Sequence, residues 1–235
     1  KASRVAGDFL AACGAYDRLA LIGYATGLEG LDQRANHIST ACGVYGYGSR
    51  RALDLAERAL EEMTDLQGHP EAAYRLLALG YVVGVSRGHT QALPYALRMK
   101  AIAVTPEQHF YALAITGTSQ FSLGNFESAR THFALSTERG GQLEPHQRRR
   151  YFPSDIQVFV LVQQAWLQWL MGDAASPHTM QRALEQARAN QNSHDLCIFH
   201  AYQAMLCWVR SDHDGHAEHA AQALEIANEE GLAMW

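Results

Sequence analysis

The chain has no long apolar segment and no excess of basic residues. Apolar runs such as Val158–Val162 are far shorter than the roughly 18 to 20 residues of a membrane-spanning helix. The 24 acidic residues outnumber the 19 basic ones, which disfavours direct nucleic-acid binding, because such binding depends on neutralising phosphates. We therefore expect neither membrane insertion nor direct contact with DNA or RNA.

Cysteine is also scarce, and its spacing matches no common site. The four cysteines form no C-x-x-C pair, and their spacing fits neither a disulfide framework nor a zinc site; they are Cys13, Cys42, Cys197 and Cys207. We expect four reduced, buried thiols in a reducing cytoplasmic compartment. The sequence gives no reason to expect a metal or a cofactor.

What the chain does contain is typical of a globular protein. It has 235 residues, of which 48% are hydrophobic and 18% charged, so it can form a core. We expect one domain covering residues 1–235. Because the chain begins with Lys1 and ends in the apolar tail Ala233–Trp235, we also expect it to be a segment of a longer protein.

An Ala-Leu dipeptide at the end of an amphipathic stretch recurs along the chain. The intervals are 37, 38, 49 and 40 residues, and the copies are Ala59-Leu60, Ala96-Leu97, Ala134-Leu135, Ala183-Leu184 and Ala223-Leu224. Such a period is typical of stacked helical hairpins. We predict twelve helices, at 2–13, 16–28, 31–44, 49–65, 70–86, 90–103, 106–122, 125–138, 154–171, 176–191, 194–211 and 214–230.

The copy at 111–138 shows most clearly how the two helices of a hairpin are expected to pack. Gly117 and Ala129 are small, which lets two antiparallel helices approach closely, and Phe133 fills the space between hairpins. Thr105, Pro106 and Gln108 predict the start of the first helix, as its N-cap, N1 proline and N3 residue. The Leu123–Asn125 turn should end that helix, since Gly and Asn tolerate the left-handed conformation. Pro94 is compatible with its helix only if that helix begins within the preceding four residues.

One long connection, 139–153, interrupts the period. It carries the only basic cluster, Arg148, Arg149 and Arg150, which could contact an anion or a partner domain. The alternative is a solvated loop.

The stretch 105–235 resembles the tetratricopeptide region at the C-terminal end of large bacterial signal-transduction ATPases. The resemblance rests on three segments, Leu123–Phe133, Ala165–Gly172 and Ala227–Trp235. It implies an all-α, tetratricopeptide-like right-handed solenoid of about six helical hairpins. It further implies a cytoplasmic bacterial regulator in which a nucleotide-binding module precedes these repeats and a DNA-binding or nucleotide-cyclase domain acts as effector.

In such a solenoid the first helix of each hairpin lines a concave groove. Counting from Gly117, we expect an aromatic-rich groove formed by Tyr74, Tyr81, Tyr111, Phe121, Trp166, Trp169, Met205 and Trp208. Such a surface can bind an extended peptide or a small amphipathic ligand. The alternative is that these side chains form the core between hairpins.

Other motifs give weaker indications of a phosphate, metal or catalytic site. The segment Gly43–Arg50 superficially resembles a phosphate loop, but it has no lysine and no preceding strand; we expect a turn in which Ser49 caps the next helix. His216 and His219 could share a helix face, but we expect no physiological metal there. No G-x-S-x-G, H-E-x-x-H or placeable carboxylate pair occurs, so we expect no catalytic activity.

The sequence therefore predicts a non-catalytic sensor or protein-interaction module. Its partner would be a peptide, another domain of the parent chain or a small ligand, captured in the concave groove. Capture would change the curvature of the solenoid or its docking on the nucleotide-binding module. The alternative is a structural scaffold or homodimerisation domain that packs through its exposed end at Met234 and Trp235.

Overall fold

A computed structural model describes residues 9–25, 27–61, 72–150, 152 and 154–232. Within these residues the chain forms helices and no strands, so the predicted all-α class is confirmed. None of these helices is long and apolar enough to cross a membrane. The helices are α1 (Phe9–Ile22), α2 (Gly27–Tyr45), α3 (Arg50–Glu61), α4 (Ala72–Arg87), α5 (His89–Ile102), α6 (Pro106–Ser122), α7 (Phe126–Gly140), α8 (Pro145–Arg148), α9 (Ile156–Leu170), α10 (Ser176–Ala189), α11 (Ser193–Val209) and α12 (His213–Glu230).

Local sequence signals set several helix ends. Thr105 forms a capping box with Gln108: the Gln108 backbone N–H donates to Thr105 Oγ1 at 3.2 Å, and the Thr105 N–H donates to Gln108 Oε1 at 3.2 Å. Gly124, at φ 77°, ends α6, because only a residue without Cβ adopts that conformation without strain. Both ends were predicted from the sequence.

Three local predictions differ from the structure. The predicted break between residues 13 and 16 is absent, and α1 continues through Gly14 to Ile22. Pro94 is the sixth residue of α5, beyond the first turn. Because proline has no N–H, the carbonyl of Thr90 has no helical hydrogen-bond donor. The helix tolerates this loss because Pro94 and Thr90 are both exposed. The connection 139–153 contains the short helix α8. The start of the predicted helix 70–86 lies outside the described residues.

The helices contact one another in a regular order. Each helix from α1 to α7 packs on the next, and so do α9 to α12. The first helices of successive pairs also pack on one another, in the order α2, α4, α6, α9 and α11. Helix α7 contacts α9 directly, past the short helix α8 that lies between them in the chain. The chain is thus a series of helix pairs in which each pair rests on the following one.

The second helix of each pair faces the core with small side chains. The alanine of the repeated Ala-Leu pair is buried in four copies, at Ala59, Ala96, Ala183 and Ala223. Ala134 is exposed instead, and the buried position falls on Phe133, one residue earlier. The reason is Gly117: a Cβ there would lie 2.7 Å from two ring carbons of Phe133, so the absent side chain leaves room for this ring.

Candidate functional site

A cavity of about 580 Å³ lies between helices α4, α9 and α11 and the loop that joins α2 to α3. Six aromatic side chains dominate its lining: Tyr45, Tyr47, Tyr81, Phe152, Phe159 and Tyr202. Val85, Ile156 and Ile198 add apolar surface, while Ser49, Ser154 and His194 add polar groups.

The aromatic rings of the cavity touch one another in a continuous chain. The Tyr81 ring lies at its centre, with ring centroids 6.1 Å from Tyr47, 5.0 Å from Phe152 and 5.7 Å from Phe159. Phe159 in turn meets Tyr202 edge-on at 5.7 Å. Because each ring is fixed by its neighbours, the cavity wall is largely preorganised for an apolar or planar ligand.

The cavity carries no formal charge near neutral pH. None of its lining residues is Asp, Glu, Lys or Arg among those the structure describes. Burial lowers the pKa of His194 to about 4, so its imidazole is neutral at pH 7. Burial also raises the pKa values of Tyr81 and Tyr202, which therefore keep their hydroxyl protons. A charged ligand would lose its hydration here without gaining a counter-ion.

Distant parts of the chain form opposite walls of the cavity. Gly46, at φ 85°, turns the chain after α2, and the Ser49 hydroxyl accepts the Ala52 N–H at 3.2 Å, which confirms Ser49 as the predicted cap of α3. At the end of α2, Val44 packs against the cluster that contains Cys197 and Ala223 of α11 and α12. The α2–α3 loop is thereby held opposite α11.

Of the eight predicted groove residues, only Tyr81 lines this cavity. Tyr74 is 3% exposed and Tyr111 is fully buried; their rings meet edge-on at 6.2 Å, and the Tyr111 hydroxyl donates to the Gln147 carbonyl at 2.6 Å. These two side chains therefore belong to the core, not to an open groove.

The other five predicted groove residues lie in three different surroundings. Phe121 and Trp166 are half-buried and meet edge-on, with ring centroids 5.9 Å apart. Trp169 is half-buried against the core between α9, α10 and α11, which includes Val162 and Phe199. Met205 and Trp208 are 37% and 59% exposed near the end of α11. The structure does not bring the eight together into one groove.

The three arginines of the predicted basic cluster also have different roles. Arg148 is buried; its Nε donates to Asp155 Oδ2 at 2.9 Å, and its Nη1 donates to the carbonyls of Gly140 and Leu143. Arg148 is thus a structural ion-pair partner rather than an anion contact or a solvated side chain. Arg149 and Arg150 are more exposed, and Arg150 lies 3.7 Å from Glu107.

Asp155 joins Arg148 to a second buried carboxylate. The Asp155 backbone N–H donates to Asp195 Oδ1 at 2.7 Å, and the Asn190 amide donates to both carboxylates, at 3.1 Å and 2.7 Å. Burial, followed by repulsion from Asp155, raises the pKa of Asp195 to about 7. This network ties the start of α9 to the loop between α10 and α11.

Sequence reasoning missed most of the cavity. Phe159 lies seven residues before Trp166 and therefore on nearly the same face of α9, but it was not among the predicted groove residues. Tyr45 and Tyr47 were visible as aromatics in an inter-helix turn. No sequence signal placed that turn opposite His194 and Tyr202.

Comparison with protein-family models, with curated proteins and with solved structures found no match to this chain.

Proposed function

We propose that the chain is a non-catalytic binding module that captures a small, uncharged ligand with an aromatic or apolar body. The observation that carries this proposal is the uncharged, aromatic-lined cavity around Tyr81. Its volume of about 580 Å³ falls within the range of roughly 300 to 1,000 Å³ that is usual for small-molecule sites. The hydroxyl groups of Tyr202 and Ser154, which line the cavity, would orient the ligand.

The proposed architecture is a tetratricopeptide-like right-handed α-solenoid. The order of helix contacts supports it, because each of the pairs α2–α3, α4–α5, α6–α7, α9–α10 and α11–α12 packs on the next. The described residues form five such pairs, with α1 packed on the first of them, where the sequence suggested about six for the whole chain. In this arrangement α4, α9 and α11 line the inner surface and hold the cavity.

The proposed setting is a cytoplasmic bacterial signalling or transcription regulator, as the resemblance implies. The cavity suggests how capture would be transmitted. A ligand held between the α2–α3 loop and α11 contacts parts of the chain that lie some 150 residues apart in sequence, so it would stabilise the arrangement in which they face each other. Other domains of the parent chain would then respond to that shift in population.

A dye-binding experiment tests the cavity. We expect the uncharged dye Nile red to bind with saturable, one-to-one fluorescence enhancement, and the anionic dye 8-anilinonaphthalene-1-sulfonate to bind at least tenfold more weakly. Val85→Trp should block binding, because Val85 lines the cavity yet is 60% exposed, so a larger side chain can fill the space without disturbing the core.

Leu97→Trp is the matched control, since Leu97 is 48% exposed and outside the cavity lining. Equal Nile red binding by the Val85→Trp variant and the wild type would refute the assignment. Stronger binding of the anionic dye would refute the inferred ligand class.

A second candidate function is a structural scaffold or homodimerisation domain. The surface formed by Met205, Trp208 and Val209 supports it, because three large apolar side chains near one end of α11 are exposed. The tail at Met234 and Trp235, which suggested this function from the sequence, lies outside the described residues. Sedimentation velocity across protein concentrations tests it: a dimer that Trp208→Ser dissociates supports self-association, and a wild-type monomer at all concentrations contradicts it.

A further inference from the structure

A cysteine, an aspartate and a histidine that do not line the cavity converge between α1 and α2. Cys13 and Asp17 are four residues apart and so share one face of α1, while His37 lies on α2. Their nearest potential ligand atoms all lie within 4.8 Å of one another. Cys13 and His37 are 0% and 2% exposed, so the arrangement differs from a chance cluster of surface acids.

Two neighbouring side chains fix the orientation of these groups. The Tyr24 hydroxyl lies 2.5 Å from His37 Nδ1, which leaves Nε2 facing Asp17 Oδ1 at 3.0 Å. The Arg51 guanidinium pairs with Asp17 Oδ2, which leaves Oδ1 facing the histidine. Metal-binding histidines and carboxylates characteristically have such a partner on the atom that does not bind the metal.

The donor atoms match the preferences of zinc. A thiolate sulfur, a carboxylate oxygen and an imidazole nitrogen are the three ligand types that Zn²⁺ takes in proteins. Thiolate and carboxylate together neutralise the two charges of the ion, which makes its partial burial tolerable. Three protein ligands leave the fourth tetrahedral position to a water molecule.

We propose that Cys13, Asp17 and His37 bind one Zn²⁺ ion and that this ion fastens α1 to α2. Binding exchanges the hydrogen bond from His37 Nε2–H to Asp17 Oδ1 for two metal–ligand bonds. The Nε2 proton leaves and Nδ1 takes up a proton in its place, so the imidazole stays neutral and Nδ1–H donates to the Tyr24 hydroxyl oxygen. The Cys13 thiol releases its proton to solvent and its sulfur forms the third bond. No oxidation or reduction takes place.

The site is tested on untagged protein by equilibrium dialysis against zinc with elemental analysis, and by spectroscopy with Co²⁺ as the probe. Wild type should hold one equivalent, and its Co²⁺ complex should show a thiolate-to-cobalt charge-transfer band. Cys13→Ala should remove the band and lower zinc affinity at least tenfold. Cys42→Ala, which removes a buried cysteine on α2 outside the cluster, should keep both.

Tyr24→Phe separates metal binding from folding. It leaves all three ligands in place and removes only the hydroxyl beside His37 Nδ1, so zinc affinity should fall roughly 10- to 100-fold while the helical circular dichroism remains unchanged. This variant keeps the proposal testable even where Cys13→Ala does not fold.

The strongest competitor for the metal is a histidine pair on α11 and α12. His200 Nδ1 lies 3.0 Å from His219 Nδ1, whereas His216 Nδ1 contacts the Ala204 carbonyl. His219→Ala should leave the one-equivalent site intact. Loss of binding in His219→Ala but not in Cys13→Ala, or a wild-type Co²⁺ complex with no charge-transfer band, would overturn the proposal.

Discussion

Replacing Arg148 by alanine should destabilise the protein far more than replacing either neighbouring arginine. The Arg148 side chain is 7% exposed and its partner Asp155 is completely buried. The substitution leaves Asp155 with hydrogen-bond donors from Gln157 and Asn190 but without a cation. Breaking a buried ion pair in this way costs about 3–5 kcal/mol, which corresponds to a fall in Tm of roughly 6–20 °C for a domain of this size.

The adjacent arginines provide matched controls for this prediction. The hydrogen bonds of Arg149 to Pro145 and Asn190 are long, at 3.4 Å and 3.5 Å, and the Arg150 side chain is 46% exposed at 3.7 Å from Glu107. Glu107 itself is only 8% exposed, but a long contact from a cation that remains largely in solvent contributes at most about 1 kcal/mol. Arg149→Ala and Arg150→Ala should therefore unfold close to wild type.

Urea unfolding followed by circular dichroism measures all three variants under the same conditions. The double variant Arg148→Ala/Asp155→Asn should recover part of the lost stability, because it removes the carboxylate charge left without a partner. Three single variants that agree within about 1 kcal/mol, the ordinary range of surface substitutions, would refute the assignment of Arg148 as a structural residue.

Three further predictions concern packing and pH. Gly117→Ala should lower Tm in a thermal melt despite a gain in helix propensity of about 1 kcal/mol, because the new Cβ would lie 2.7 Å from the Phe133 ring; Gly14→Ala, which meets nothing closer than 3.7 Å, should not. Asp195 has its folded-state pKa raised from 3.8 to about 7, so its contribution to the free energy of unfolding, complete below pH 3.8, should fall as pH rises to 7. Urea titrations of Asp195→Asn should lack this fall. His194 has its folded-state pKa lowered from 6.5 to about 4. Its contribution to the free energy of unfolding is therefore complete above pH 6.5 and is lost as pH falls to 4. A His194→Gln variant that loses the same stability between pH 6.5 and pH 4 would contradict this role of His194.

Helix boundaries could be predicted where the signal was local. The capping box at Thr105 and the left-handed Gly124 need only neighbouring residues, and the sequence indicated both. The break expected near Gly14 failed because a glycine within a helix looks the same in sequence as one that ends it. Here the helix continues through Gly14, whose missing Cβ would meet only the Arg18 side chain.

The groove residues were harder to predict than the helix boundaries, because the central helices are buried on several sides. In α6 every residue from Tyr111 to Ser119 is buried, since this helix contacts α4, α5, α7 and α9. A helix that is covered all round has no polar face by which its orientation can be read. The sequence therefore could not separate Tyr111, a core residue, from Tyr81, a cavity residue.

The arginine run illustrates a second limit. Of the three consecutive arginines, Arg148 is in a buried ion pair, Arg149 is half-buried and Arg150 is exposed. What distinguishes Arg148 is the position of Asp155, the capping residue of α9, which only the folded connection brings within reach. Cys13, Asp17 and His37 are separated in the same way, because no spacing rule links a pair on one helix to a residue on the next.

Arg51 joins the proposed zinc site to the cavity. Its guanidinium pairs with Asp17 and lies 4.8 Å from the centre of the Tyr45 ring, and Tyr45 lines the cavity. Zinc held by Asp17 would fix the carboxylate, the guanidinium and hence this ring, so we expect zinc to tighten Nile red binding.

Thermodynamic linkage then requires Nile red to tighten zinc binding by the same factor. Arg51→Met keeps the aliphatic part of the side chain but removes the charge that reaches Asp17, so each site should still bind while the mutual effect disappears. A Nile red affinity that zinc leaves unchanged in the wild type would show that the contact through Arg51 transmits nothing between the two sites.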